Sequence, residues 1–230
     1  MNPYIRFRSN PITDYLVQNW ESIRDEFVAQ RLVKTGKNLL EVQVESNKLN
    51  YVSEVRHEKL FDGKIIAAAL YLTPEVLTAP EAKQLNWQPT ETERLFEDNL
   101  EQMPTIKKWF ETHREHLAAM VFYAAQPNSI IHPHYGVDSM YDNFRVHLCL
   151  TGDPECKFNI ENEIHSWIPG DLFAFDDCMY LHGIKHRGTA PRIILAIDIK
   201  KSAIKDFAID FVQRPFVPVV KKSFFTLHDW

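Results

Sequence analysis

The rhythm of hydrophobic and polar positions changes near residue 119. Ahead of it, apolar residues recur at helical spacing. Leu16, Trp20, Ile23, Phe27 and Leu32 return every three to five residues with charges between them, which predicts an amphipathic helix over 12–34. Thr13 or Asp14 is placed to cap it. Two more helices are predicted over Glu91–Met103 and Pro104–Glu115. The second opens on a proline, whose missing N–H has no helical partner in the first turn anyway. Between these helices, Ile65–Leu72 is apolar enough for a buried strand, and Pro74–Pro80 reads as loop.

Beyond 119 the apolar residues alternate or run in short blocks: Ala119–Ala125, Phe144–Thr151, Cys156–Ile160, Glu163–Ile168, Asp171–Asp176 and Arg192–Ile199. Turn residues punctuate them, notably Pro127-Asn128, Gly152-Asp153-Pro154 and Pro169-Gly170. Short strands joined by turns predict a mainly β protein with flanking helices, an antiparallel sandwich or jelly roll rather than βαβ units. We expect one domain over 1–230, with a helical and mixed lead-in (1–118), a β core (119–200) and an irregular tail (201–230) packed on the body.

Composition narrows the function without naming it. The 230 residues suffice for one sizeable core. A formal charge of −5 and a pI near 6.1 argue against nucleic-acid binding. Cys149, Cys156 and Cys178 have neither the number nor the spacing of a disulfide framework or thiolate zinc site. No apolar run reaches the roughly 18–20 residues of a membrane span, and no apolar stretch follows Met1–Arg8 as in a signal peptide. A cytoplasmic protein without membrane or nucleic-acid partners is the expectation.

The chemistry-bearing residues concentrate in 131–200. His132 and His134 lie two apart and share a face if extended. In Phe144–Thr151 the apolar residues Phe144, Val146, Leu148 and Leu150 alternate with Arg145, His147, Cys149 and Thr151. The second face is either a solvated outer surface, the commoner case, or the lining of a polar cavity. Arg192 opens a strongly apolar strand, where it is either a surface residue at the strand mouth or a planar cation held inside for a carboxylate. Imidazoles suit Fe(II), and two of them leave positions open for other ligands.

The order of four segments carries more than any one of them. Pro133-His134-Tyr135-Gly136, Phe144-Arg145-Val146-His147-Leu148, Trp167…Gly170…Phe175-Asp176-Asp177…His182 and Arg192-Ile193-Ile194-Leu195-Ala196-Ile197-Asp198 resemble the aspartyl/asparaginyl β-hydroxylase family. That family shows a PHxG element, an RxHL strand, a WxxG…FDD…H segment and an arginine ten residues past the second histidine. The resemblance implies a double-stranded β-helix, a cupin-like jelly roll, that binds Fe(II) and the cosubstrate 2-oxoglutarate. His134 and His182 would ligate the metal. Arg192 would hold the distal carboxylate of 2-oxoglutarate, and Arg145 and His147 would stand at its chelating end. Tyr123 occupies the place of a small hydroxyl residue near the distal carboxylate. The implied reaction is hydroxylation of an aliphatic C–H, at the β-carbon of an amino acid or peptidyl residue, with decarboxylation of 2-oxoglutarate to succinate.

Gly136 stands where many iron oxygenases carry a carboxylate ligand two residues after the first histidine. The third ligand then falls to water or, less readily, to Asp138, and His132 is the rival to His134. A vacant position beside two histidines also admits a halide, so a C–H halogenase is the alternative enzyme. A non-catalytic jelly-roll binding module is the alternative from another class.

Overall fold

The computed structural model describes residues 5–6, 11–33, 42–44, 61–62, 65–78, 97–136, 142–161, 163–203 and 205–207. Among the described residues twelve strands lie in two antiparallel sheets. They are β1 (Ile5–Arg6), β2 (Val42–Val44), β3 (Phe61–Asp62), β4 (Ile65–Leu72), β5 (Leu117–Ala125), β6 (Ile130–His134), β7 (Asn143–Thr151), β8 (Cys156–Ile160), β9 (Glu163–His165), β10 (Leu172–Phe175), β11 (His182–His186) and β12 (Arg192–Lys200). The larger sheet runs β1-β10-β7-β12-β5-β4-β2 and the smaller β3-β6-β11-β8-β9. Apart from the paired β8 and β9, which share the smaller sheet, strands from β6 onward alternate between the sheets, the winding of a double-stranded β-helix, and the jelly-roll expectation holds.

Three longer elements are helical: α1 (Pro11–Gln18), α2 (Trp20–Val33) and, after the five-residue α3 (Pro74–Thr78), α4 (Pro104–His113). They cover one face of the larger sheet. Leu16, Ile23 and Phe27 from α1 and α2, and Ile106, Trp109 and Phe110 from α4, share one core with Phe122, Phe144, Val146, Leu148, Ile193, Leu195 and Ile197. Phe27 stacks on Phe122 at 4.2 Å between centroids. Each such fully buried side chain contributes about 1.5–3 kcal/mol. Polar ties lock the helices together: the Trp109 Nε1–H donates to Ile12 O at 2.9 Å, the Tyr15 hydroxyl to Thr105 O at 3.0 Å, and the Thr105 hydroxyl to Glu26 at 2.6 Å.

That helical cover decides which face of β7 is inside. The alternating apolar residues pack under the helices, so Arg145, His147, Cys149 and Thr151 point into the space between the sheets. The solvated-outer-face reading of Arg145 and His147 fails for that reason. The surface reading of Arg192 fails likewise: the residue is 3% exposed and shares the inner face of β12 with Ile194, Ala196 and Asp198.

Other expectations shift at the edges. The helix over 12–34 divides at Asn19 into α1 and α2, where the Asn19 side-chain amide shares Tyr15 O, at 2.7 Å, with the Asn19 main-chain N–H, at 3.1 Å. The helix begins at Pro11, so Thr13 and Asp14 lie inside it rather than capping it. Pro74 opens a short helix instead of a loop, using the position where proline suits a first turn. Of the helix expected over Glu91–Met103, residues 97–101 are helical and 91–96 lie outside the described residues. Strand β4 matches its expected bounds and pairs with β5. The β core therefore extends beyond 119–200, with lead-in strands in both sheets. The tail expected over Arg214–Trp230 and the candidate Asp138 lie outside the described residues. No helix among the described residues is long and apolar enough to cross a membrane.

Candidate metal centre

Strands β6 and β11 bring two distant histidines together. His134 ends β6, His182 begins β11, and the two are register partners. Their ring centroids lie 4.3 Å apart. Each Nδ1 approaches the carbonyl oxygen two residues earlier in the chain: His132 O at 2.8 Å for His134 and Tyr180 O at 2.9 Å for His182. An acceptor at Nδ1 places the hydrogen there and leaves Nε2 with the lone pair that a metal uses. His132 contributes its carbonyl to this arrangement, and His182 is registered to His134 instead.

The larger sheet supplies the facing wall. His147 sits on β7 opposite Ala196 of β12 and Phe173 of β10. Its ring is enclosed by Phe158, Phe173 and Phe175 at 5.8, 5.0 and 5.2 Å between centroids. Burial in this aromatic enclosure pushes its pKa well below the ordinary imidazole value, and the positive charges of Arg192 and Arg145 push the same way. This favours the neutral ring, and its buried Nδ1 has no hydrogen-bond partner among the described residues.

Arg192 stands at the mouth of β12 with its guanidinium carbon 5.7 Å from the centroid of the Phe158 ring. Its Nη2 is buried and has no hydrogen-bond partner among the described residues. Phe158 is common to His147, Arg192 and His182, the last at 6.4 Å. Phe175 also touches His182, at 4.9 Å. These two phenylalanines are wall residues that the sequence pattern does not single out. Their alternation within β8 and β10 is visible, but nothing in it distinguishes a site wall from an ordinary core.

Arg145 lies toward the other end of the same face and is already engaged. It holds Asp198 through Nε at 2.8 Å and Nη2 at 3.0 Å, a bidentate fork, and reaches Asp177 through Nη1 at 3.0 Å. Burial alone would lower its pKa, but the two carboxylates outweigh this and hold the guanidinium charged well above its ordinary range. Burial pushes Asp198 up despite the arginine. Tyr123 sits on β5 opposite Ile194, packs against the cluster of Ala69, Ala119 and Val121, and its hydroxyl interacts with the Arg145 charge.

Asp177 fastens the metal segment to that pair. Its carbonyl accepts from Gly136 N at 2.7 Å. A Cβ added at Gly136 would lie 2.7 Å from the Asp177 carboxylate carbon. The space that a side chain two residues after His134 would enter is therefore filled by a carboxylate from elsewhere in the chain.

Asp176, Asp177 and Cys178 also bring three ligand atoms within 4.8 Å of one another. Both carboxylates are already paired, Asp176 with Lys201 at 2.6 Å and Asp177 with Arg145. Burial pushes the Cys178 thiol far up, away from the thiolate that binds metals. The imidazole pair is the better donor set. All three cysteines are free thiols, and burial raises Cys149 to about 11.

A family model described as aspartyl/asparaginyl beta-hydroxylase matches residues 17–202. No curated protein matches the chain. Among solved structures, the chain is similar to a predicted oxalate decarboxylase from Thermotoga maritima, at a TM-score of 0.37 and 15% identity over 61% of this chain and 84% of that one. It is also similar to a cupin-like protein from Thermotoga maritima, at a TM-score of 0.35 and 9% identity over 61% and 71%. The architecture itself rests on the strand order.

Proposed function

This chain belongs to the aspartyl/asparaginyl β-hydroxylase family, and we propose that it is an Fe(II)- and 2-oxoglutarate-dependent dioxygenase that hydroxylates an aliphatic carbon of an amino acid or peptidyl residue. The observation that carries the reading is the imidazole pair. Two histidines 48 positions apart in the chain stand in register with rings 4.3 Å apart, each with Nδ1 turned to a main-chain carbonyl. Two neutral imidazoles suit Fe(II) and leave positions for a chelating cosubstrate and oxygen.

The remaining groups fit a dicarboxylate. Buried polar groups normally have partners, so a buried guanidinium nitrogen and a buried imidazole nitrogen without one among the described residues mark places for groups of a bound ligand. Arg192 would take the distal carboxylate, with the planar fork suited to it. Neutral His147 would approach the metal-chelating end, close to His182. Arg145 would stabilise that end at longer range, its donors being largely committed to Asp198 and Asp177. Small residues stand in register with these groups, Ala125 with Arg192 and Ala196 with His147. Bound iron with 2-oxoglutarate supplies the oxidising power that breaks an unactivated C–H bond. The protein's own part is to hold the ligands, exclude water and fix the target carbon.

The halogenase alternative loses support at Gly136. The adjoining space holds the Asp177 carboxylate, and an anion there repels a halide. Product analysis with and without chloride or bromide separates the two chemistries.

The direct test is His134→Ala and His182→Ala. Each should abolish Fe(II)-dependent formation of succinate from 2-oxoglutarate. Each should also weaken metal binding, measured anaerobically, by more than the roughly 10–100-fold that loss of an outer partner costs. Turnover retained in either variant overturns the ligand assignment. A screen of amino acids and peptides for an added oxygen then identifies the substrate.

A further inference from the structure

The start of β12 is irregular where Arg192 sits. Pairing with β7 runs Ile193 to Thr151 and then Ile194 to Cys149, so Leu150 is an extra residue in β7. A bulge of this kind interrupts the main-chain ladder locally and leaves its groups to be satisfied another way. Here one side chain does it. The Thr151 hydroxyl accepts from Ile193 N at 2.8 Å and donates to Pro191 O at 2.7 Å. Those two groups flank Arg192 in the chain. On the other side β12 is held by regular pairing with β5, Arg192 opposite Ala125.

We propose that Thr151 is a positioning residue for cosubstrate binding: its hydroxyl spans the bulge and pins the peptide groups on both sides of Arg192, aiming the guanidinium into the space between the sheets. The inference rests on the assignment of Arg192 to the distal carboxylate. Its physical basis is that a bidentate contact tolerates little error in direction. The Arg192 stem leaves the sheet at the first residue of its strand, where the ladder on the β7 side is broken. Without the hydroxyl, Ile193 N–H and Pro191 C=O must find water or shift, and the guanidinium at the end of the stem moves with them. Threonine suits the place because one O–H both donates and accepts. Serine keeps that ability and valine keeps only the shape.

The experiment measures anaerobic binding by calorimetry to protein loaded with Mn(II), using 2-oxoglutarate and, separately, 2-oxobutyrate, which keeps the chelating end and lacks the distal carboxylate. Thr151→Val should weaken 2-oxoglutarate binding about five- to tenfold, the scale of one or two net hydrogen bonds. It should leave 2-oxobutyrate binding within about twofold, and Thr151→Ser should restore most of the loss. In an Arg192→Ala background, Thr151→Val should add nothing further, because the two residues act through one contact. Equal weakening of both ligands by Thr151→Val, or a full additional loss in the Arg192→Ala background, overturns the inference and leaves the role of Arg192 standing. If Arg192→Ala binds 2-oxoglutarate as the parent does, the assignment of Arg192 itself falls, and this inference with it.

Discussion

Two arginines share the inner face of the larger sheet and are treated in opposite ways. Arg145 is matched by two carboxylates of the chain itself, Asp198 in a bidentate fork and Asp177 across the gap. Arg192 is the more deeply buried, at 3% exposure, yet its Nη2 has no partner among the described residues and its visible company is the face of Phe158. A buried charge that is paired holds a structure in one arrangement. A buried charge left incomplete is a cost accepted for something that arrives later. The difference separates a brace from the side chain proposed to receive the cosubstrate, although the two residues are the same chemical group.

Removing each arginine in turn puts that contrast under the greatest load. Arg145→Ala strands two buried carboxylates around one missing cation and should cost about 3–5 kcal/mol of stability, the scale for breaking a buried pair. Arg192→Ala removes a cation with no charged partner among the described residues. It should change stability by less than about 1 kcal/mol while weakening 2-oxoglutarate by about two orders of magnitude, as loss of a charge-assisted bidentate contact does. Urea midpoints and 2-oxoglutarate titrations of both variants give the answer. Equal losses of stability would erase the distinction.

Much of this arrangement is legible in the amino-acid sequence, and for a definable reason. The alternation in Phe144–Thr151 separates the apolar residues from Arg145 and His147 because a strand's side-chain period is two, whatever its surroundings. Which face lies inside is not a property of that strand. It depends on α1, α2 and α4 covering the apolar side, a tertiary fact with no local signal. Arg192 meets the same obstacle: one charged residue at a strand mouth looks alike in solvent and in a cavity. The four ordered segments supply what periodicity does not, and lead to His134 and His182 as partners 48 positions apart. They are silent on the Arg145–Asp198–Asp177 connection, because contacts between strands distant in the chain leave no spacing to read. Strands β6 and β11 escape notice as elements because His132, His134, His182 and His186 interrupt their apolar pattern.

Gly136 offers a gentler probe of the paired end. The Cβ of Gly136→Ala would meet the Asp177 carboxylate at 2.7 Å, closer than real contacts allow, and that carboxylate is tied to Arg145. The variant should lose about 1–3 kcal/mol, the range for overpacking. Gly136→Asp should lose at least as much, since it adds a second anion in the same space, and should not gain metal affinity over the parent. Tighter Mn(II) binding by Gly136→Asp, measured anaerobically, would show that Asp177 moves aside easily and that this end is less of a brace than its contacts imply.

The smallest effect falls at the boundary between the two ends, because His147 lies between them. Burial, then the charges of Arg192 and Arg145, hold its folded pKa well below the ordinary 6.5. Below that ordinary value the unfolded chain binds a proton at this residue and the folded chain does not. Stability contributed by neutral His147 is therefore fully present above about pH 6.5 and is lost as pH falls below it. The slope from one such group is at most about 1.4 kcal/mol per pH unit. Replacing His147 with Gln removes that titration, and the fall in stability from pH 7 to 5.5 should become shallower than in the parent, whatever the offset at pH 7. An unchanged slope would mean that the imidazole takes up its proton in the folded state with little difficulty. The aromatic enclosure would then be more open than its geometry implies, and His147 would meet the cosubstrate as a cation rather than as a neutral ring.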